Sequence, residues 1–437
     1  MSYTKPFKVL DSIINDIESD IKKFVNNPEK DFTRKRKLDF KTMIKLMISM
    51  EGGSIQKELF EYFKYDVATA TTPAFIQQRE KLKPQVFKEI FTQLNNSFPR
   101  DNKYQGYTLL SIDGSKVTYT LNELEPDCIV RNNEGSRAVS LVNLNAMYDL
   151  LENRYVDCIV QPIRNLNERS AAIEMVDRYK TDDKPLFILD RGYEFYNLFA
   201  HIDNNNQSYL CRVKDIHSNG ILKSFDLDDS EFDIDIKRTL TRRNTKFIKK
   251  NTNIYKFMPQ NQNFDFFDNF ESEYEMEFRV VRFKINDDSY ESVITNLTRE
   301  EFDNNKIQEL YGLRWGIETS FRDLKYSVGM MSFHSNKKIF IEQEILASLI
   351  LYNVSQISSK YIDRLDKGRL LRYKINFKAF MEFIKHHLKR KDDPLINEPP
   401  DLNIIRNRFY LPVRPNRKYK RKMNTRSNVI HPQYRIS

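Results

Sequence analysis

Tyr311-Gly-Leu-Arg314-Trp-Gly-Ile-Glu318-Thr-Ser-Phe-Arg-Asp-Leu-Lys325 is the stretch on which the reading of this chain turns. Its Tyr, Arg, Glu and Lys are separated by steps of 3, 4 and 7 residues. At about 100° per helical residue, the four side chains fall within roughly 60° of one another. The spacing predicts one stripe down a helix. An acid flanked on its own face by a guanidinium, an ammonium and a phenol suits a metal-binding carboxylate held beside a polyanion. The same spacing also describes a solvated face of i,i+4 ion pairs. Two apolar runs upstream, each ended by an acid, favour the first reading.

The first run, Tyr107 to Asp113, reads as a strand that stops at Asp113-Gly114. Val139 to Leu150 and Arg154 to Gln161 alternate in polarity around Asn153 and predict a hairpin. Glu168 to Tyr179 reads as a helix. Leu186-Phe-Ile-Leu-Asp190 is the second run, followed by a helix from Glu194 to Ile202 and a strand at Tyr209 to Val213. Three strands, helix, strand, helix, strand is an α/β order with a parallel crossover between the third and fourth strands. If the first and fourth strands are neighbours, Asp113 and Asp190 stand side by side. With Glu318 they make a set of hard oxygen donors suited to Mg²⁺, which takes few protein carboxylates and keeps waters or phosphates as its other ligands.

With these residues in view, the chain resembles DDE transposases of the bacterial insertion-sequence-four family, which carry an RNase H-like core. The family's Y-x2-R-x3-E-x6-K signature is matched at Tyr311, Arg314, Glu318 and Lys325. The acid blocks are matched by Ser111-Ile-Asp113-Gly-Ser115 and Leu189-Asp190-Arg191-Gly-Tyr193, with Tyr209-Leu-Cys-Arg212-Val-Lys214 following. The resemblance covers residues of about 30 to 360. It implies an RNase H-like mixed sheet with flanking helices, in which Asp113, Asp190 and Glu318 are catalytic and ligate two Mg²⁺, Mn²⁺ being a second candidate. It implies that Tyr311, Arg314, Lys325, Arg191, Arg212 and Lys214 contact DNA. It further implies cutting at terminal inverted repeats, strand transfer into target DNA, and a homodimer on paired double-stranded ends. The family's β insertion supplies a base-stacking aromatic; the only tryptophan here, Trp315, lies in the signature and is expected in the core. Phe247, Tyr255 and Phe257 are the candidates, with sheet packing as the ordinary alternative.

The rest of the 437-residue chain divides by texture. Residues 1–100 read as a helical DNA-binding domain, with Arg34 to Lys37, Arg79 and Lys81 as DNA contacts or solvated faces. Residues 101–215 and 292–360 are the two parts of the core, and 216–291 an antiparallel β insertion. Residues 361–437 are a helical region with a basic tail. Net charge is +10, and ten Lys and Arg stand against one acid from Asp401 onward, as expected for a nucleic-acid partner. Three scattered cysteines argue against a disulfide framework or a zinc site and fit a reducing cytoplasm. No apolar run reaches the length of a membrane span, and a nucleoid-associated protein is expected. His334 follows Lys325 closely enough to be a candidate neighbour of the site. No phosphate-loop motif is present, so ATP is not expected. A metal-dependent nuclease without strand transfer and a catalytically silent DNA-binding protein are the alternatives.

Overall fold

The computed structural model describes residues 4–34, 36–131, 137–286, 289–362, 373–390, 404 and 408–412. The basic tail expected beyond Asp401 lies almost wholly outside the described residues. Five helices come first: α1 (Lys5–Ser19), α2 (Phe40–Ser49), α3 (Ile55–Tyr62), α4 (Thr72–Arg79) and α5 (Gln85–Asn96). Thr71 caps α4 through its side chain, which accepts from Ala74 N, and Pro73 sits in the first turn, where no intrahelical N–H is needed.

The strands are β1 (Tyr107–Tyr119), β2 (Ile129–Val130), β3 (Val139–Asp149) and β4 (Arg154–Pro162). Helix α6 (Glu168–Arg178), β5 (Lys184–Leu189), α7 (Tyr196–Asn204) and β6 (Ser208–Val213) follow. Across the sheet they lie in the order β4-β3-β1-β5-β6. β3 runs antiparallel to both neighbours, while β5 and β6 run parallel to β1. This is the RNase H-like mixed sheet, with α6 carrying the chain from β4 over to β5. The two central strands are buried on both faces, which is why they read as unbroken apolar runs. Leu109, Leu186 and Ile188 enter the core beneath the N-terminal helices, and Leu110, Phe187 and Leu189 enter the core beneath α6 and α7.

One expectation fails here. β1 does not stop at Asp113-Gly114 but continues to Tyr119, paired with β3 throughout. Gly114 is not a turn residue. A Cβ at that position would lie 2.6 Å from Glu168 Oε1 and 2.9 Å from Asn143 Nδ2, so glycine permits a close approach within the strand.

After β6 come β7 (Phe232–Thr241), α8 (Lys246–Lys250), β8 (Tyr255–Phe257), β9 (Glu273–Asn286) and β10 (Ser289–Thr295). They extend the same sheet, in the order β6-β10-β9-β7-β8. Most pairs are antiparallel, but β8 lies parallel to β7. Phe247, read as strand, sits on α8 and is exposed. The signature segment forms α9 (Asn304–Leu313), α10 (Trp315–Asp323) and a π-helical turn at Leu324–Val328. Helix α11 (Lys338–Lys360) then packs on α5, α2, α1 and β4. Its Asn353 bonds backbone on the outer side of β4, which pairs only with β3: the side-chain oxygen accepts from Tyr155 N at 2.9 Å and the amide donates to Tyr155 O at 2.8 Å. A short pair, β11 (Tyr373–Ile375) and β12 (Tyr410–Pro412), flanks α12 (Phe377–Arg390). Among the described residues no helix is long and apolar enough to cross a membrane.

Candidate active site

Parallel pairing of β1 with β5 ends at Ile112 opposite Leu189, so the next residue on each strand is an acid. Adjacent strands lie about 4.8 Å apart, which makes Asp113 and Asp190 neighbours at one point of the sheet. The Ser111 hydroxyl donates to Ile188 O at 2.8 Å and ties the two strands just ahead of them. Asp303 caps α9 by accepting from Lys306 N at 3.0 Å, and α10 packs across β1. Tyr311 on α9 donates its hydroxyl proton to Asp190 Oδ1 at 3.3 Å. Arg314, at the joint between the two helices, donates to Glu318 Oε1 at 2.7 Å and is nearly buried.

Electrostatics tie these groups together. Burial pushes the Asp113 carboxyl up to about 6, against a hydrogen bond from Gly114 N and the Arg314 charge; Glu318 and Asp190 push it further up. For Arg314, burial works against the charge, and Tyr311, Asp190 and Glu318 more than offset it. The structure therefore brings Asp113, Asp190, Glu318, Tyr311 and Arg314 into one electrostatic neighbourhood.

Two further acids reach it that the sequence pattern did not single out. Glu291 on β10 pairs with Arg212 at 2.6 Å, and its carboxyl is raised by burial and by Asp190 against Arg212 and Arg314. Glu168, at the start of α6, faces Gly114. Tyr193 is buried among these groups: burial first, then Asp113, Glu168 and Asp190, hold its hydroxyl well above the usual range.

The remaining candidates separate. Arg212 already has a carboxylate partner, and Lys214 donates to Asn219 O at 2.8 Å. Arg191 is exposed directly after Asp190. Lys325 is half-buried in the π turn, with its ammonium pKa lowered by burial and no carboxylate partner among the described residues. The π turn places Lys325 where regular α geometry ends, so the four-residue stripe is continuous only as far as Glu318.

Three expectations are corrected. Trp315 is not in the core: it is 45% exposed with the Arg314 guanidinium over its ring at 5.1 Å. Its neighbour Gly316 takes the inward position, against Leu150. Arg79 is neither a DNA contact nor a solvated face. It is buried, donating to Gln343 at 2.9 Å and Glu344 at 2.8 Å. His334 is drawn to the same network, its Nδ1 at 2.9 Å from Glu344 Oε2, rather than to the acids of the sheet.

A divalent cation is implied by the resemblance, and the donor chemistry fits one. The three candidate donors are all carboxylates, and Glu318 and Asp190 lie near enough to Asp113 to add to the rise that burial imposes on it. A bound cation would relieve that repulsion. They do not form a closed cage: among the described residues, no three acidic, histidine or cysteine side chains are gathered as a ready-made metal centre. Glu318 is held by Arg314 and Asp190 by Tyr311.

Residues 104–354 match the family model described as the transposase DDE domain. Among solved structures, the chain is similar to the piggyBac transposase in a cryo-EM structure of its synaptic complex with hairpin DNA, with 11% identity and a TM-score of 0.43 over 89% of this chain and 80% of that one. No curated protein gives a significant match. The family match takes in both sheet acids, the whole signature segment and more than half of the chain, and the protein belongs to the DDE-domain transposases.

Proposed function

We propose that the chain cuts DNA at the terminal inverted repeats of a bacterial insertion sequence and joins the freed 3′ ends to target DNA, as members of the insertion-sequence-four family do. The observation that supports this reading is the placement of Asp113 and Asp190 on adjacent strands, with Tyr311 bonded to Asp190 and Arg314 holding Glu318 beside them. On this reading Asp113, Asp190 and Glu318 would hold two Mg²⁺, with Mn²⁺ as a substitute. Such ions supply Lewis acidity to an in-line displacement at phosphorus.

The protein's own contribution is to position. Arg314 fixes the Glu318 carboxylate, Tyr311 fixes Asp190, and the Ser111 bond fixes the two strands relative to each other. Arg191, Lys214 and Lys325 would face the strand's phosphates, and Arg212 would join them by exchanging Glu291 for phosphate. Residues 1–100 would serve as a DNA-binding domain ahead of a core split into 101–215 and 292–360. Residues 216–291 are the insertion and 361–437 the C-terminal region. Two copies on paired ends, working at the nucleoid, complete the proposal.

The test uses the full chain and duplexes carrying the DNA that flanks its gene. Strand-specific cleavage ending in a 3′-hydroxyl, present with Mg²⁺ or Mn²⁺ and lost with chelator, is the expected result. Joined products with a target plasmid distinguish a transposase from a nuclease that only cuts. Binding without any cleavage by the wild-type protein would make it a silent DNA-binding protein.

A second prediction concerns Lys325, a half-buried cation with no carboxylate partner among the described residues. Lys325→Met should weaken binding to end DNA about tenfold, the scale of one charged hydrogen bond, while the unfolding midpoint holds or rises. Fluorescence anisotropy with a parallel denaturant melt checks it; a lowered midpoint with unchanged affinity would make Lys325 structural.

A further inference from the structure

Next to the acid-bearing edge lies an open cleft of about 640 Å³ between the core and the strands added by β7 and β8. Arg169, Arg191, Lys214, Lys223, Arg238 and Lys256 line it, with Glu194 as the only carboxylate. Glu194 is committed elsewhere: its two oxygens accept from Lys214 N at 2.9 Å and Ile221 N at 2.6 Å. Gly220 allows that clasp, since a Cβ there would sit 2.5 Å from Glu194 Oε1.

The cations are unusually short of counter-charge. Arg238 is 3% exposed, yet all its partners are neutral: Tyr196 Oη at 2.9 Å, Ile221 O at 3.3 Å, Ser224 Oγ at 2.6 Å and Thr252 O at 2.8 Å. Its Nε is buried without a hydrogen-bond partner. Lys256, half-buried beside it, has no carboxylate partner among the described residues, and burial and then Arg238 lower its pKa. A folded chain rarely keeps a buried guanidinium without an anion. Two adjacent cations in that condition, in a cleft ringed by four more, mark where an anion from outside the chain belongs.

We infer that this cleft is a phosphate subsite, which seats a backbone phosphodiester of the bound DNA strand a short distance from the bond to be cut. It rests on the reading under Proposed function. Arg191 follows Asp190 directly and lines the cleft, so a strand lying across the acids passes its mouth. Lys256 would grip one phosphate from below, with the uncompensated charge of Arg238 behind it. The exposed Arg169, Lys214 and Lys223 would surround it.

The test compares wild type, Lys256→Gln and Glu318→Gln, all as full chains. Binding to end duplex is followed by anisotropy across a salt series, alongside thermal melts with and without inorganic phosphate. Lys256→Gln should bind DNA about tenfold more weakly, with the salt slope reduced by about 1, and should melt no lower than wild type. Inorganic phosphate should raise the melting temperature of wild type more than that of Lys256→Gln. Unchanged affinity and slope in Lys256→Gln, while wild type binds and cuts, would overturn the subsite and leave the transposase reading standing. If only the phosphate-induced shift is lost, the cleft takes a free anion and the assignment to DNA fails. Wild type that neither binds nor cuts end DNA would instead sink the function on which the subsite rests. Glu318→Gln should bind with the wild-type salt slope and not cut, separating grip from chemistry.

Discussion

Asp113→Asn should lower end cleavage by about a thousandfold or more, roughly 4 kcal/mol of transition-state stabilisation, while leaving the protein more stable than wild type. The two effects have one origin. The Asp113 carboxyl is held up near 6 by burial, with Glu318 and Asp190 adding repulsion. Without a cation, an ionised carboxylate at this position works against the fold. A neutral amide of the same shape removes that cost and should add about 1–3 kcal/mol to unfolding stability at neutral pH. Asp190→Asn and Glu318→Gln should lose cleavage to a similar degree. Single-turnover cleavage assays and urea melts of the four proteins decide the matter. Equal cleavage by all would remove Asp113, Asp190 and Glu318 from the chemistry, and a destabilised Asp113→Asn would recast that carboxylate as a structural element.

Arg79→Met should destabilise the protein by about 3–5 kcal/mol at pH 7, the usual cost of stranding one member of a buried ion pair. Arg79 joins α4 to α11 by three bonds, to Gln343, Glu344 and the Phe340 carbonyl, the last at 2.5 Å. Burial alone would raise the Glu344 carboxyl; the Arg79 charge and the His334 contacts overcome it and hold the pKa at about 2. The sign follows from that depression. Glu344 contributes stability that is complete above its unfolded value of about 4.5 and is lost as the pH falls from there towards 2. The loss over that range is on the order of 3 kcal/mol. The gap between Arg79→Met and wild type should therefore be widest near neutrality and narrow steadily below pH 4.5. Guanidinium midpoints at pH 7 and pH 3 measure it. A gap independent of pH would mean that the guanidinium acts by packing against Phe340, 4.5 Å from its ring, and not by charge.

What could be read from the sequence, and what could not, follows from where each signal resides. The central strands were legible because a strand buried on both faces must be apolar at every position, as Leu186 to Leu189 are. From that came the neighbouring placement of Asp113 and Asp190. The signature was legible because helical spacing is local. The end of β1 was misread because Asp-Gly serves equally as a turn and as a place where another side chain comes close, and only the position of Glu168 tells which. Arg79 was misread because a buried arginine has the same letter as a solvated one; its partner Glu344 lies 265 residues away. Glu291 carried no local signal at all. It reaches Arg212 because the strands of β10 and β6 pair, which no spacing within either segment foretells.

That last pairing has a mechanical meaning. Because β10 and β9 connect β6 to β7, the strands that carry Asp113, Arg238 and Lys256 belong to one continuous hydrogen-bonded sheet. A DNA strand anchored at the proposed phosphate subsite would then present a bond to the acids at a set remove, so the place of the cut would be measured out by the protein's own framework, as a ruler marks length.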